Sequence, residues 1–170
     1  MVESSSTKLE GMDMLPLATF KTVIASTPLI SIDLVVKNSE GLVLLGKRIN
    51  RPAQGFWFVP GGRVLKDEQL DNSFERLLKV ELAMEKCEAK FLGVYQHFYT
   101  DNITEDKFTT HYIVLAYELI FNGSLIKLPN EQHNEYRWFK ESELLNHNEV
   151  HNHTKWYFQK RNKADEIFSS

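Results

Sequence analysis

Residues 55–86 hold the side chains best spaced for chemistry. Gly61 and Gly62 come first, Glu68 follows six residues after Gly62, Arg76 eight later and Glu81 five after that. Paired glycines let a backbone turn sharply or approach an anion closely. Two acids and an arginine behind them have the layout of a metal-diphosphate site. Between Arg76 and Glu81, however, the chain reads Leu77, Leu78, Lys79 and Val80. The helix expected there carries one acid instead of a cluster.

On a helical wheel Glu81 falls about 20° from Leu70, inside the stripe formed by Leu70, Phe74, Leu77, Leu78 and Leu82. An acid in an apolar stripe is costly unless something positive meets it. Read alone, Glu81 is an edge acid paired with an arginine or a ligand of a hard cation. Mg²⁺ needs few protein carboxylates, because waters and phosphate oxygens complete its shell. Other candidates have equally plain alternatives. Asp33 sits among aliphatics in "LISIDLVV", where it could simply point to solvent. Arg48 and Arg63 are solvated charges or anion ligands, and Tyr112 is a half-buried strand tyrosine or a hydroxyl donor. His97, Gln132 and His133 read as ordinary polar residues unless a site gathers them. The tract "HNEVHNH" (147–153) has three histidines at irregular spacing, which reads as a solvated loop.

The elements that must position these groups are strands and helices in mixed order. "LATFKTVIAS" has Phe20, Val23 and Ile24 at helical spacing, and "TPLISIDLVVK" alternates as a strand. "NSEG" is a turn, "LVLLGKR" a strand, and "FWFVP" a short strand ending in a Gly61-Gly62 turn. A helix is expected over 70–84, then strands in "AKFLGVYQHFYT" and "TTHYIVLAYELIF" joined by a polar loop over 101–108. A strand over 135–140 and two short helices close the chain. The class is α/β or α+β.

At 170 residues the chain is one domain's worth, with a leader expected over 1–11 and a single domain over 12–170. A net charge of −3 offers no field for nucleic acid or an acidic membrane. One cysteine, Cys87, permits no internal disulfide, which suits a reducing cytoplasm. No apolar run reaches the roughly 18 residues of a membrane span.

The spacing from Gly62 through Glu68 and Arg76 to Glu81 resembles the Nudix box. That box usually continues after its arginine with three glutamates and a glycine; here Leu77 and Val80 replace two glutamates and Ala83 replaces the glycine. One branch, the GDP-mannose mannosyl hydrolases, lacks the same two acids. The chain resembles that branch over 20–158, including "LLGKRINRPAQGFWFVPGGRV" and "LPNEQHNEYRW". The resemblance implies an α/β/α sandwich around a central mixed sheet, a homodimer, and a GDP-hexose substrate. It implies hydrolysis of GDP-mannose, or also GDP-glucose, by water attacking the anomeric carbon with inversion. The alternative is a conventional diphosphohydrolase that cleaves the phosphoanhydride. Mg²⁺, with Mn²⁺ as a substitute, would be held by Gly61, Glu81 and Gln132. His133 would be the general base, and Arg48, Arg63 and Tyr112 would meet the diphosphate leaving group. Asp33 and His97 would lie on the sugar side, with Arg76 and Glu68 as supports.

Overall fold

The computed structural model describes residues 15–104 and 106–159. The expected leader lies outside them. The first helix, α1 (Leu17–Ser26), buries Ile24. Strands β1 (Leu29–Lys37) and β2 (Val43–Arg48) flank the expected turn, where the Asn38 side chain accepts from the backbone N–H groups of Glu40 and Leu42. β3 (Trp57–Phe58) and β4 (Gly61–Arg63) follow, then α2 (Leu70–Leu82). Two long strands, β5 (Ala89–Tyr99) and β6 (Thr110–Ile120), precede a single 3-10 turn at Leu125–Lys127. β7 (His133–Phe139), α3 (Glu141–Asn146) and α4 (Asn152–Trp156) complete the described chain.

Seven strands make one mixed sheet in the order β3-β2-β1-β6-β5, with β4 added on β1 and β7 on β2. β1 and β6 run parallel from Leu29↔Tyr112 to Lys37↔Ile120, and the other pairs are antiparallel. Alternation along β1 sends its side chains to two faces. Ile32, Leu34 and Val36 pack with Leu77, Leu78 and Leu82 of α2. On the other face, Val43, Leu45, Trp57 and Phe139 pack with Leu144 of α3 and with Val150. The result is the expected sandwich of helix, sheet and helix. Each fully buried aliphatic side chain contributes about 1.5–3 kcal/mol of transfer free energy, so these two layers dominate the favourable side of folding.

One feature of the sheet shapes the site. β1 and β2 pair only at Lys37↔Val43, beside their turn. Beyond it they diverge: β1 takes β4 as its partner, and β2 takes β3 and β7. The gap between the diverging strands becomes a cleft.

Gly61 and Gly62 do not form the expected turn; they lie in β4, with Asp33 paired to Gly61 and Ile32 to Gly62. What demands glycine is close approach, since a Cβ on Gly61 would stand 2.5 Å from the Ile32 carbonyl oxygen. Leu70 does not begin the buried stripe of α2. It is 46% exposed.

Candidate active site

A cavity of about 560 Å³ opens where β1 and β2 separate. Asp33, Arg48, Gly61, Arg63, His97, Tyr112 and Gln132 all line it, joined by Phe20, Tyr99 and Phe58. The sheet explains the gathering. Asp33 and Gly61 come from the β1–β4 pair, Arg48 from the end of β2, and His97 faces Tyr112 across the β5–β6 ladder. Gln132 immediately precedes β7, which runs beside β2.

The cationic wall is held by aromatic faces. The Arg63 guanidinium lies 4.1 Å from the Phe20 ring centre and that of Arg48 lies 5.6 Å from Phe58. Such stacking orients a guanidinium while leaving its edge free for an anion. The Arg48 Nε is buried without a hydrogen-bond partner, as befits a donor awaiting a ligand. Behind it, Arg76 and Glu68 clamp the loop between β4 and α2. Arg76 Nε donates to Glu68 Oε1 at 2.6 Å, and its Nη2 donates to Glu68 Oε2 and to the Arg63 carbonyl, both at 2.8 Å. Glu68 Oε2 also accepts from the Leu65 N–H at 3.1 Å. The clamp thereby fixes the backbone of Arg63, and its role is structural.

Glu81 and His133 lie outside the cavity lining. Both are buried, at 2% and 1% exposure, and His133 Nδ1 stands 3.8 Å from Glu81 Oε2. The imidazole opens β7 and packs over Gly46, where a Cβ would come within 2.5 Å of the ring. His133 is therefore a buried strand residue rather than an ordinary exposed polar one. Its Nδ1 lies 3.3 Å from the Tyr136 hydroxyl and its Nε2 has no partner. Burial, with Arg48 nearby, lowers its pKa to about 4, so it is neutral at pH 7. Burial raises Glu81 to about 7, against the pull of Arg48. Asp33 rises to about 6, again through burial, with the Tyr157 hydroxyl and Arg48 opposing.

A hard divalent cation fits this arrangement. Among the described residues, Glu81 is a buried carboxyl with no cationic side chain in ion-pair contact, since its neighbour His133 is neutral. The Gly61 carbonyl, the Glu81 carboxylate and the Gln132 amide are all oxygen donors of the kind Mg²⁺ prefers. Among the described residues no group of three His, Cys, Asp or Glu is placed to hold a metal, so α2 supplies no carboxylate cluster.

The histidine tract behaves differently from its expectation as a solvated loop. His153 is 5% exposed and stacks on His97, with ring centres 4.2 Å apart and planes 10° from parallel. Sequence reasoning also missed Tyr99, Phe20 and Tyr157. Tyr99 had a signal, since it lies two residues from His97 on the same face of β5. Phe20 and Tyr157 had none, because their partners are remote in sequence.

Comparison with known proteins decides the family. The model of the NUDIX domain matches residues 27–159. The chain belongs to the NUDIX family. Helix α1, which brings Phe20 to Arg63, precedes the matched region. The low-salt glycan biosynthesis protein Agl8 of Haloferax volcanii is 36% identical over 121 residues, covering 71% of this chain and 76% of the relative. A MutT protein from Methanosarcina mazei superposes with a TM-score of 0.64 at 22% identity, covering 78% of this chain and 92% of its own. The NUDIX domain of Shewanella oneidensis NrtR, cocrystallised with ADP ribose, gives 0.61 at 18% identity, covering 86% and 97%. At these identities the two structures establish the fold, a mixed sheet between helices. Membership of the NUDIX family supports hydrolase activity, and hydrolases of this family generally use divalent metal ions. No helix among the described residues is long and apolar enough to cross a membrane.

Proposed function

We propose that this NUDIX hydrolase cleaves a GDP-hexose, GDP-mannose first and GDP-glucose second, to GDP and free sugar by water attack at the anomeric carbon with inversion. The observation that carries this reading is the isolation of Glu81. Leu77 and Leu78 beside it are buried in the core and Val80 is half-buried, so the helix face that would gather several metals holds one acid. Attack at phosphorus beside that helix would want a metal-activated water there. Attack at carbon moves the nucleophile away and asks less of the helix. The Agl8 relative, named for glycan biosynthesis, agrees with a nucleotide-sugar substrate.

In this reading Arg48 and Arg63 grip the diphosphate with guanidinium forks. The Tyr112 hydroxyl, kept protonated by burial, donates to the leaving oxygen. Asp33 faces the sugar, where a carboxylate stabilises positive charge developing at the anomeric carbon. His133, one residue beyond the cavity-lining Gln132, accepts the water proton after its ring leaves Glu81. It is neutral at pH 7, which is the form a base requires. Mg²⁺ held by Gly61, Glu81 and Gln132 would neutralise charge on the departing GDP. The same reading takes the protein to be a cytoplasmic homodimer, which sedimentation would test.

Hydrolysis of GDP-mannose with Mg²⁺ in ¹⁸O-water is the deciding experiment. Label in the free sugar and unlabelled GDP are expected. Label in phosphate, or GMP with a sugar phosphate as products, would replace this reading with phosphoanhydride cleavage.

A further inference from the structure

We propose that Tyr157 is a positioning residue of the site, fixing the carboxylate of Asp33 and the tautomer of His97 from behind the cavity. Both Asp33 and His97 line the cavity, whereas Tyr157 does not. The Tyr157 hydroxyl donates to Asp33 Oδ2 at 2.6 Å, across 124 residues of sequence, and its oxygen lies 3.2 Å from His97 Nε2. A phenol has one proton. With that proton directed at Asp33, the oxygen can only accept from His97, so the His97 proton sits on Nε2. The chain of donors runs from His97 through Tyr157 to Asp33, and it occupies one oxygen of the carboxylate. The other, Oδ1, lies beside β4, 2.9 Å from where a Cβ would stand on Gly61. It is the oxygen left for a ligand.

The supports of Tyr157 are those of a residue built to hold still. Its ring meets Tyr95 edge-on, with centres 4.8 Å apart, in the cluster with Val114 and Ala116. The segment that delivers it is stitched to β3. Trp57 N–H donates to the Glu149 carbonyl at 2.8 Å, and His151 N–H donates to the Trp57 carbonyl at 3.1 Å. Thr154, fully buried, lies with its Oγ1 3.4 Å from Val59 N–H. His153 stacked on His97 restrains the second arm of the network.

The inference rests on the proposed function only in placing a sugar against Asp33, and two measurements keep the two apart. The first is steady-state kinetics of Tyr157→Phe, which deletes one oxygen and keeps the ring. The kcat is expected to fall about tenfold, the effect of one lost hydrogen bond to a charged group, with KM within about twofold of wild type. An unchanged kcat, or a loss confined to KM, overturns the proposal. The second is ¹⁵N NMR of the His97 ring, which needs no substrate and, on the wild-type protein, no variant. A proton on Nε2 is expected in the wild type, and a mixture of tautomers in Tyr157→Phe. A wild-type proton on Nδ1 overturns the network even where the kinetics agree. If no nucleotide sugar is hydrolysed, the proposed function fails and the NMR result still decides the role of Tyr157.

Discussion

Glu81 and His133 would form a salt bridge if geometry alone counted, but their surroundings push both toward neutrality. The imidazole is lowered to about 4 and the carboxyl raised to about 7 by the same burial. Their contact, at 3.8 Å, is a weak one. In the proposed reaction His133 leaves this contact to act as base. His133→Ala is expected to lower kcat by roughly 10²–10⁴ while leaving KM near wild type. Steady-state kinetics would remove His133 from the role if the loss were under tenfold by this yardstick. Gly46→Ala offers a subtler check, because its Cβ would displace the His133 ring without deleting any chemical group. It too is expected to lower kcat, with Glu81 and Gln132 intact.

Helix α2 shows both what local pattern reveals and what it conceals. The helix itself, its buried Leu77, Leu78 and Leu82, and the anomaly of Glu81 all follow from the 3.6-residue period. Its end does not: the helix expected over 70–84 stops at Leu82, where Ala83, standing where the family box has glycine, takes the left-handed conformation at φ 52. Ala83 N–H donates to the Lys79 carbonyl and Met84 N–H to the Leu78 carbonyl, both at 3.1 Å. A Cβ in that region is strained, so Ala83→Gly is expected to stabilise the protein by about 0.5–1 kcal/mol in denaturant melts. At the helix start, Glu68 is held near 2 against an ordinary 4.5, first by its hydrogen bond from Arg76. A depressed folded pKa stabilises above the unfolded value and is lost as pH falls toward 2. Glu68→Gln should therefore cost roughly 1–3 kcal/mol at pH 7 and little at pH 2. An equal cost at both pH values would contradict the clamp. What periodicity could not reveal lies between elements. Nothing local told that Gly61 pairs with Asp33, that His133 would fold inward over Gly46, or that residue 157 would reach residue 33. These depend on strand divergence and on the path of the C-terminal segment, which no window of sequence contains.

The divergence of β1 and β2 has a thermodynamic consequence for the fold as a unit. It creates a cleft lined by Asp33, with Glu81 buried outside that lining, and burial raises these two carboxyls to about 6 and about 7. An acid raised on folding binds its proton more tightly in the native state, so its folded form loses stability as pH rises from the unfolded value through the folded one. Without metal, these two carboxyls should weaken the protein from about pH 5 toward pH 8. The histidines His133, His151 and His153, lowered by burial to about 4, 4 and 3, weaken it as pH falls below their unfolded value of about 6.5, so stability should peak between these limits. A divalent cation at Gly61, Glu81 and Gln132 reverses the argument, because it binds the ionised carboxylate. Thermal melts are expected to show Mg²⁺ raising Tm more at pH 8 than at pH 5. The rise at a hundredfold excess over Kd corresponds to about 2.7 kcal/mol, or several degrees for a chain of this size. Glu81→Gln should reduce the metal-free loss of stability toward pH 8 and abolish most of the response to Mg²⁺. If Glu81→Gln kept the full Mg²⁺ response, Glu81 would be an acid buried for structure alone, and the cation would have to be held elsewhere in the cleft.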